Sequence, residues 1–406
     1  MYNKRLAIIV FSISIILLPC VFAAENTSLY AVRHVDPGFT FASATYVPET
    51  SLFFNTSMAT TQMIMLFSAN VKRQTGTGTS EVWARINVDG AALFEDMMRT
   101  VTGGGAFGCA LIRPFLFNIS AGEHNITLEF RRTGTGTINI TNIDMALLKF
   151  KTTHDDIVRG QLINNSYMHS SASFSSAFNW TINKTIASDT FIMVKQSVSS
   201  TAAANATYYI GDLSTGLASQ YWISRILNAA DTNNLMATYI EFEETAQHNH
   251  TIKSKTTAGT VTVNFSIMDM DLIDNSSNPI GHFQLHNNLT NLTSAISFSA
   301  GTHNILNTTV LVNNGTGYLL AMTASLSSTS GAQTPVFFVN ASNVSESYCY
   351  SRKEARLSSN TDIDMVHAIF ICSNLTAGNN YTFSMWAEVE AGETLILHEE
   401  SFNGFE

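Results

Sequence analysis

The chain has few charged side chains, few prolines and few cysteines, and it lacks any cluster of basic residues. Charged residues make up 13% of the 406 residues, prolines number 6, and the formal net charge is −10. This acidic balance, with Lys and Arg scattered, argues against a nucleic-acid partner. The scarcity of proline, without any long polar run, argues against flexible linkers between folded parts.

Long hydrophobic runs are also scarce, and the single one lies at the amino terminus. The basic pair Lys4 and Arg5 precedes an apolar run that ends at Leu18, and small residues follow up to Ala24. The run is shorter than the roughly 20 apolar residues of a membrane-spanning helix, and it is typical of a cleaved secretory signal peptide at residues 1–24. A membrane anchor and a pilin-type signal cut after Arg5 are the alternatives. We expect a mature chain without a membrane span, located outside the cell or on its surface.

Motifs that carry chemistry are missing as well. The sequence contains no Gly-x-Ser-x-Gly, His-Glu-x-x-His, phosphate-loop or dinucleotide motif. His248 and His250 would face one side of a strand but lack a third ligand, so we interpret them as exposed turn residues. The acidic residues at 269–274 and 362–364 match no calcium-loop spacing and are interpreted as solvated strand edges. We therefore expect no enzyme activity, no metal and no cofactor.

The cysteines are few enough to consider one by one. Cys20 would leave with the signal peptide, and Cys109 lies in an apolar run without a basic neighbour. Cys349 and Cys372 lie in consecutive apolar strands of the last third of the chain. In an oxidising compartment this pattern predicts a disulfide between Cys349 and Cys372. The alternative is a pair of buried free thiols.

The chain contains a sequence repeat that occurs three times. The segment AGEHNITL, which contains Asn125, returns as AQHNHTI around Asn249 and as AGNNYTF around Asn380, at intervals of 124 and 131 residues. Such a period is the size of a domain. Other landmarks keep the same order in all three copies: Met65, Met193 and Met322, then Arg99, Arg225 and Arg356, and finally Gly136, Gly259 and Gly392. We therefore predict domains at residues 58–150, 151–275 and 276–406, with residues 25–57 as an N-terminal strand segment.

Alternation of apolar and polar residues, rich in β-branched and aromatic side chains, predicts strands throughout. Segments such as VWARINVDG, ATYYIGDL and TPVFFVN show this pattern, and Gly and Asn punctuate them as in β-sandwiches. The segment from Ala91 to Arg99 is the best candidate for a helical turn. The fold class predicted is all-β, with three connected antiparallel sandwiches.

A resemblance makes the sandwich type more specific. The order of an apolar strand, Ile86-Asn-Val-Asp-Gly90, then Ser120-Ala-Gly-Glu-His-Asn-Ile-Thr-Leu128 and a closing Gly-Thr strand is similar to C1q/TNF-like jelly-roll domains. It covers the first domain best, the second loosely and the third weakly. The resemblance implies jelly-roll sandwiches, which usually serve assembly or recognition, and it implies no catalytic residue.

Asparagines in Asn-x-Ser/Thr sequons are abundant. They account for 20 of the 35 asparagines, which indicates selection for N-glycosylation. We predict glycans at Asn26, Asn55, Asn118, Asn125, Asn139, Asn164, Asn179, Asn183, Asn205, Asn249, Asn264, Asn275, Asn288, Asn291, Asn307, Asn314, Asn340, Asn343, Asn374 and Asn380.

These features lead to two functional hypotheses. The first is a structural subunit of a secreted filament or surface coat, a homopolymer in which the strand at residues 28–35 is donated to a neighbour. The assembly residues would then be Leu29, Tyr30, Val32 and His34; alternatively, this strand belongs to the first domain itself. The second hypothesis is an adhesin or carbohydrate-binding protein in which tryptophans stack on sugars, although core packing is the commoner fate of such residues. These are Trp83, Trp180, Trp222 and Trp386.

Overall fold

A computed structural model of the chain shows an all-β protein. It describes residues 29–36, 38–102, 108–150, 160–183, 187–212, 221–227, 232–243, 246–272, 282–287, 296–313, 317–329, 334–343, 347–354 and 364–406. Within these ranges the chain forms 23 strands, and every strand pair is antiparallel. The strands group into three successive units, and we label the main strand positions of each unit A to H in chain order.

Unit one contains the first eight strands, of which β3 is long enough to fill two positions. Residues 47–56 of β3 pair with β7, and residues 62–75 pair with β8. The first part is therefore strand B and the second is strand C. The strands are β1 (Leu29–Val35), β2 (Phe39–Phe41), β3 (Val47–Thr75), β4 (Thr79–Val88), β5 (Ala91–Thr102), β6 (Gly108–Leu111), β7 (Phe115–Arg132) and β8 (Thr137–Phe150).

Unit two has one strand for each position. It forms two sheets of four strands, β14-β11-β16-β9 and β10-β15-β12-β13. The strands are β9 (Gly160–His169), β10 (Ser175–Asn183), β11 (Ser188–Ser200), β12 (Ala204–Asp212), β13 (Tyr221–Leu227), β14 (Thr232–Glu243), β15 (Gln247–Thr256) and β16 (Val261–Asp271).

Unit three repeats the arrangement, and its last strand fills the last two positions. Residues 380–389 of β23 pair with β18, and residues 400–405 pair with β17. They form strands G and H respectively. The strands are β17 (His282–Asn287), β18 (Ile296–Leu311), β19 (Gly317–Ser328), β20 (Val336–Ser342), β21 (Ser347–Glu354), β22 (Asp364–Ser373) and β23 (Asn380–Phe405).

All three units have the same strand order. In each, strands A-H-C-F form one sheet, which we call the inner sheet, and strands B-G-D-E form the other, which we call the outer sheet. Eight antiparallel strands in this order make a jelly roll. A separate apolar core lies between the two sheets of each unit. The predicted fold class, tandem antiparallel jelly-roll sandwiches, is thus confirmed.

The repeat landmarks fall on corresponding strands. Asn125, Asn249 and Asn380 all lie in strand G, and each is the register partner of a strand B residue. The three methionine landmarks all lie in strand C. Met65 and Met322 face the core of their own unit, whereas Met193 faces away from it. The repeat therefore preserves the strand, but in unit two it does not preserve the face.

One secondary-structure prediction is wrong. Residues 91–102 form β5, a strand, and not a helical turn. A two-residue turn at Asp89 and Gly90, both with positive φ, joins β4 to β5. Such a turn suits a hairpin, and pairing along β4 overrides the local helical tendency of Ala-Ala-Leu-Phe-Glu.

Burial along the strands separates the C strands from the others. β4 and β20 alternate between buried and partly exposed residues, as expected for a sheet with one face on a core. In contrast, β11 and β19 are buried almost continuously. A strand buried on both faces must lie between two cores. Strands β11 and β19 therefore pack against other units as well as against their own core.

Candidate functional site: the core shared by the units and the outer surface

The three inner sheets pack against one another around one apolar cluster, which we call the shared core. Strands C, F and H of every unit contribute to it, and the rings of Phe191 and Phe405 meet there at 4.9 Å. The units therefore form one connected block. The buried residues of the shared core are Ile64, Leu66, Leu111, Ala146, Leu148, Phe191, Met193, Met236, Ile240, Met268, Met270, Leu272, Leu319, Ala321, Ile369, Ile371 and Phe405.

Polar contacts show that the units close into a ring. In unit one, the Ser68 hydroxyl donates to the Ile369 carbonyl of unit three at 2.7 Å. In unit three, the Asn403 amide donates to the Thr238 carbonyl of unit two at 2.8 Å. Lys195 of unit two forms an ion pair with Asp96 of unit one. In each contact, strand C or H of one unit lies against strand E or F of another unit. Units one and three, three and two, and two and one are in contact, so the three units form a ring.

A buried ion pair joins units one and two. Lys195 Nζ on β11 lies 2.9 Å from Asp96 Oδ2 on β5, and the Lys195 side chain is fully buried. Arg113 of unit one donates its backbone N–H to Asp96 Oδ2 at 2.8 Å and its Nε–H to Oδ1 at 3.1 Å. Burial alone would raise the pKa of Asp96, but the charges of Lys195 and Arg113 outweigh it and lower the pKa. The carboxylate is therefore ionised at neutral pH.

A second buried ion pair joins units one and three. Lys353 Nζ on β21 lies 2.6 Å from Asp144 Oδ2 on β8, and His34 Nδ1 lies 2.9 Å from Asp144 Oδ1. Lys353 also donates to the Asn142 carbonyl. Burial tends to raise the pKa of Asp144, but Lys353 and His34 outweigh it and lower the pKa. Each buried carboxylate is thus held by a lysine from another unit and by a basic side chain from its own.

The proposed donor strand lies in its own unit. β1 pairs with β8 from Leu29 to Val35, as strand A of unit one, which is the alternative considered from the sequence. His34 Nδ1 lies 2.9 Å from Asp144 Oδ1 on β8. The side chains of Leu29, Tyr30 and Val32 lie outside the described residues. In units two and three, β9 and β17 hold the same position, so β1 completes a pattern common to all three units.

The sequon asparagines lie on accessible positions. Those that the structure describes are either exposed or half-buried, and Asn26, Asn275, Asn288, Asn291 and Asn314 lie outside the described residues. The described strands in positions E and F, which face neighbouring units, contain no sequon. The exposed sites are Asn55, Asn118, Asn164, Asn179, Asn183, Asn249, Asn264, Asn307, Asn374 and Asn380, and the half-buried sites are Asn125, Asn139, Asn205, Asn340 and Asn343.

Of the two cysteines predicted to form a disulfide, the structure describes the side chain of one. Cys372 is disulfide-bonded and fully buried in the core of unit three. Cys349 lies in β21, but its side chain is outside the described residues, and the same holds for Cys109 in β6. The partner of Cys372 therefore stays a prediction.

The polar residues of unit two depart from the sequence interpretation. His248 and His250 are buried strand residues of β15, not exposed turn residues, and the His250 ring stacks on Trp180 at 4.9 Å. Asp269 is also buried, not solvated. The alternation of β15 places both histidines on the face that covers the core of unit two. Polar residues of this kind are hard to assign to a core from sequence alone.

A second polar group occupies that core. The rings of Tyr167 and Tyr208 lie 5.9 Å and 5.8 Å from the ring of His169. Neither nitrogen of His169 has a hydrogen-bond partner among the described residues. Burial lowers the pKa of His169 to about 4, so this histidine is neutral over most of the physiological range.

The tryptophans have two different environments. Trp180 is buried in the core of unit two, as core packing predicts. Trp83 and Trp386 are half-buried on the outer sheets, where Arg131 lies 4.9 Å from the Trp83 ring and Phe338 stacks on Trp386 at 6.1 Å. The side chain of Trp222 lies outside the described residues.

No group of three or more His, Cys, Asp or Glu side chains among the described residues is placed to hold a metal ion. No helix long and apolar enough to cross a membrane occurs among the residues whose positions are described.

The pairing pattern defines a protein of three fused jelly-roll sandwiches. No family model matches the chain, and no curated protein matches it. Many solved structures align with it, among them the following three. A triple jelly-roll fold of the turret assembly in an archaeal virus is 10% identical, with 91% of this chain and 90% of that chain covered and a TM-score of 0.19.

The other two are of different kinds. The tandem CBM22 domains of Xyn10C from Paenibacillus barcinonensis are 12% identical, with 60% of this chain and 99% of that chain covered and a TM-score of 0.20. The VP2 subviral particle of infectious bursal disease virus is 9% identical, with coverages of 96% and 84% and a TM-score of 0.22. Likenesses at this level assign no function, and the fold assignment rests on the strand order.

The shared core is the feature that sequence reasoning missed. Its signal was present in the strand C sequences: TFIMV in β11 and YLLAM in β19 are continuous apolar runs, not alternating ones. In an antiparallel sandwich, such runs indicate strands that are covered on both faces. Read in that way, they predict that the inner sheets are buried against other units.

Proposed function

We propose that the protein is a structural subunit of a secreted, heavily N-glycosylated extracellular coat or filament, and that it has no enzymatic role. Its building block is the ring of three fused jelly rolls. Two buried ion pairs and the shared core hold this ring together. Because the contacts between the units are buried and apolar, the units are held in fixed positions relative to one another.

The distribution of sequons is the observation that carries this proposal. No described sequon asparagine is fully buried, and the described strands at positions C, E and F, which contact other units, have none. Of the H strands, β8 and β16 carry one each, the half-buried Asn139 and the exposed Asn264. Sugars attached at these positions would cover the outside of the block without entering its internal interfaces. With only 13% charged residues, the glycans would supply much of the surface hydration.

Assembly in this proposal takes place between folded blocks. Donation of β1 would remove it from β8 and would break the contact between His34 and Asp144. We therefore favour head-to-tail, non-covalent contacts between different faces of successive blocks, which repeat without closing. The jelly-roll units act as modules for assembly.

Electron microscopy of the secreted protein tests this function. The full chain would be produced in a host that glycosylates Asn-x-Ser/Thr, purified from the medium and imaged over a range of concentrations. We expect regular fibres or sheets with a repeat of one block. Single blocks at every concentration would overturn the structural role.

A carbohydrate-binding role is the second candidate, and one surface favours it. Next to the outer sheet of unit one, the guanidinium carbons of Arg85 and Arg131 lie 4.1 Å and 5.1 Å from the centre of the Tyr46 ring, and Arg131 also lies over the Trp83 ring. Aromatic rings beside guanidinium groups suit the stacking and hydrogen bonding of sugars. Binding of the secreted protein to immobilised glycans, lost on Trp83→Ala, would support this alternative.

A further inference from the structure

The ion pair between Lys353 and Asp144 is fully shielded from water. Both side chains are 0% exposed, Lys353 Nζ lies 2.6 Å from Asp144 Oδ2, and Nζ lies 5.8 Å from the centre of the Phe370 ring. Charges are costly to bury, whereas a neutral amine and a neutral carboxylic acid cost less. Burial therefore makes proton transfer from Nζ to Oδ2 accessible. This transfer leaves an amine next to a carboxylic acid, the two groups that condense to an amide.

The surroundings of Lys353 Nζ orient this amine. Nζ donates to the carbonyl oxygen of Asn142 and to that of Ser68, the latter at 3.5 Å. A neutral amine has two N–H bonds, and these two carbonyl groups can accept both of them. The lone pair then occupies the remaining direction, which is that of the Asp144 carboxyl group. Attack requires reacting atoms at about 3–3.5 Å, and the contact with Oδ2 holds Nζ beside the carboxyl carbon Cγ.

His34 provides an acid–base group at the same carboxyl group. Its Nδ1 lies 2.9 Å from Asp144 Oδ1, and Lys353 pairs with the other oxygen, Oδ2. An imidazole can pass a proton to an oxygen that leaves as water and can take up a proton again. The His34 side chain is 35% exposed, so protons and water can exchange with solvent on this side of the pair.

We propose that Lys353 and Asp144 condense to an amide bond, an isopeptide, that links unit three covalently to unit one. Lys353 Nζ attacks Cγ of Asp144, so that the Nζ–Cγ bond forms and the Cγ–Oδ1 bond breaks. Of the three protons on the ammonium group, one stays on the amide nitrogen and two leave with Oδ1 as water, relayed through Oδ2 and His34. The ammonium and the carboxylate thus become one amide and one water molecule, without an oxidant or a cofactor.

The bond forms slowly from the folded ion pair. Burial tends to raise the pKa of Asp144, but Lys353 and His34 outweigh it and lower the pKa. The charged pair therefore predominates after folding, and only its minor neutral form reacts. The reaction depends on neither glycosylation nor assembly, because all its groups lie within one chain.

The buried pair between Lys195 and Asp96 is a natural control. Lys195 Nζ lies 2.9 Å from Asp96 Oδ2, but Oδ1 accepts the Nε–H of Arg113 at 3.1 Å. A guanidinium group does not release its protons in proteins, so Arg113 holds the carboxylate in its charged form and cannot convert Oδ1 into water. This pair should stay an ion pair.

Peptide mapping of the full-length protein tests the proposal. The folded chain is kept at neutral pH for increasing times, then denatured, reduced, freed of any sugars, digested and analysed by tandem mass spectrometry. We expect a cross-linked peptide that contains Lys353 and Asp144 and is lighter than its two parts by one water molecule. Its fraction should rise with time, whereas the peptides of Lys195 and Asp96 should stay separate.

Two variants assign the chemistry. Lys353→Arg keeps the positive charge but removes the amine, so no cross-linked peptide should form. His34→Gln keeps a hydrogen-bonding side chain beside Asp144 but cannot relay protons, so the rate of linkage should fall by about 100-fold or more. Circular dichroism confirms that each variant is folded. If the folded parent gives only unlinked peptides at every time, the isopeptide is overturned. An unchanged rate in His34→Gln would overturn the role of His34.

Discussion

Lys353 Nζ lies 2.6 Å from Asp144 Oδ2, and both side chains are fully buried where unit three meets unit one. The preceding residue, Arg352, pairs with Glu388 within unit three, and those side chains are 36% and 45% exposed. Consecutive residues of β21 therefore make one buried ion pair between units and one exposed pair within a unit. Comparing these two ion pairs therefore shows how burial changes the contribution of an ion pair to stability.

Replacing Lys353 should destabilise the protein strongly. Lys353→Met removes the buried ammonium from Asp144 and leaves that carboxylate with His34 alone, and the free energy of unfolding should fall by about 3–5 kcal/mol. Arg352→Met should cost about 0–1 kcal/mol, since exposed ion pairs contribute little. Denaturant unfolding of the two variants measures the difference. Equal losses would show that the pair with Asp144 does not hold the units together.

The pair between Lys195 and Asp96 should show strong coupling. Asp96→Leu leaves the buried Lys195 ammonium without its carboxylate and should cost about 3–5 kcal/mol. Lys195→Met leaves Asp96 paired with Arg113 alone, so its loss should be smaller. The double variant removes both charges, so its loss should be smaller than the sum of the two single losses. Unfolding of the parent, both single variants and the double variant completes the cycle. Strict additivity would contradict a direct interaction across the units.

Stability should depend on pH in two separate windows. The upper window is due to His169, because burial lowers the pKa of this side chain to about 4 from an ordinary value of 6.5. Above pH 6.5, the ring is neutral in both folded and unfolded chains and contributes no pH dependence. As the pH falls from 6.5 to about 4, the unfolded chain takes up a proton that the folded chain does not, so stability decreases. His169→Phe should flatten this part of the profile.

In the lower pH window, the change in stability is due to Asp96 and Asp144. Neighbouring cations lower the pKa of both carboxyl groups in spite of burial. Their contribution is present above the unfolded pKa of about 3.9 and is lost as the pH falls through the lower folded values. His169→Phe should leave this loss unchanged. Thermal unfolding from pH 8 to 2 measures both windows, and an unaltered upper slope in the variant would contradict the assignment to His169.

The disulfide of Cys372 should connect to Cys349. A non-reducing peptide map of the secreted protein identifies the partner directly. Cys372→Ala should lower the free energy of unfolding by roughly 3 kcal/mol, because the bond closes a loop of about 22 residues in the unfolded chain. A map that links Cys372 to Cys109, or a free Cys349 thiol, would refute the pairing.

Much of the architecture was predictable because it depends on short-range patterns. The alternation in VWARINV predicted a half-buried strand, and β4 shows that burial pattern. The spacing of Asn125, Asn249 and Asn380 predicted three equivalent units, and all three residues lie in strand G. In both cases, the information lies within a segment or in the distance between copies.

The contacts between units were not predictable in the same way. Asp96 and Lys195 are 99 residues apart, and Asp144 and Lys353 are 209 residues apart. A lone charge in an apolar strand gives no indication of its partner, because the partner depends on how the units are arranged. The helical turn expected near Ala91 failed for a related reason, since pairing with β4 outweighed local propensity.

The central claim is that three jelly rolls close around a shared core to form the glycosylated block of an extracellular assembly. Cryo-electron microscopy of the secreted, glycosylated protein tests it most directly. We predict fibres or sheets in which every repeating block contains three sandwiches in contact through their inner sheets, with sugar density on the B strands and none between units. Unassembled chains with three separate sandwiches, each with its inner sheet exposed to solvent, would contradict the account.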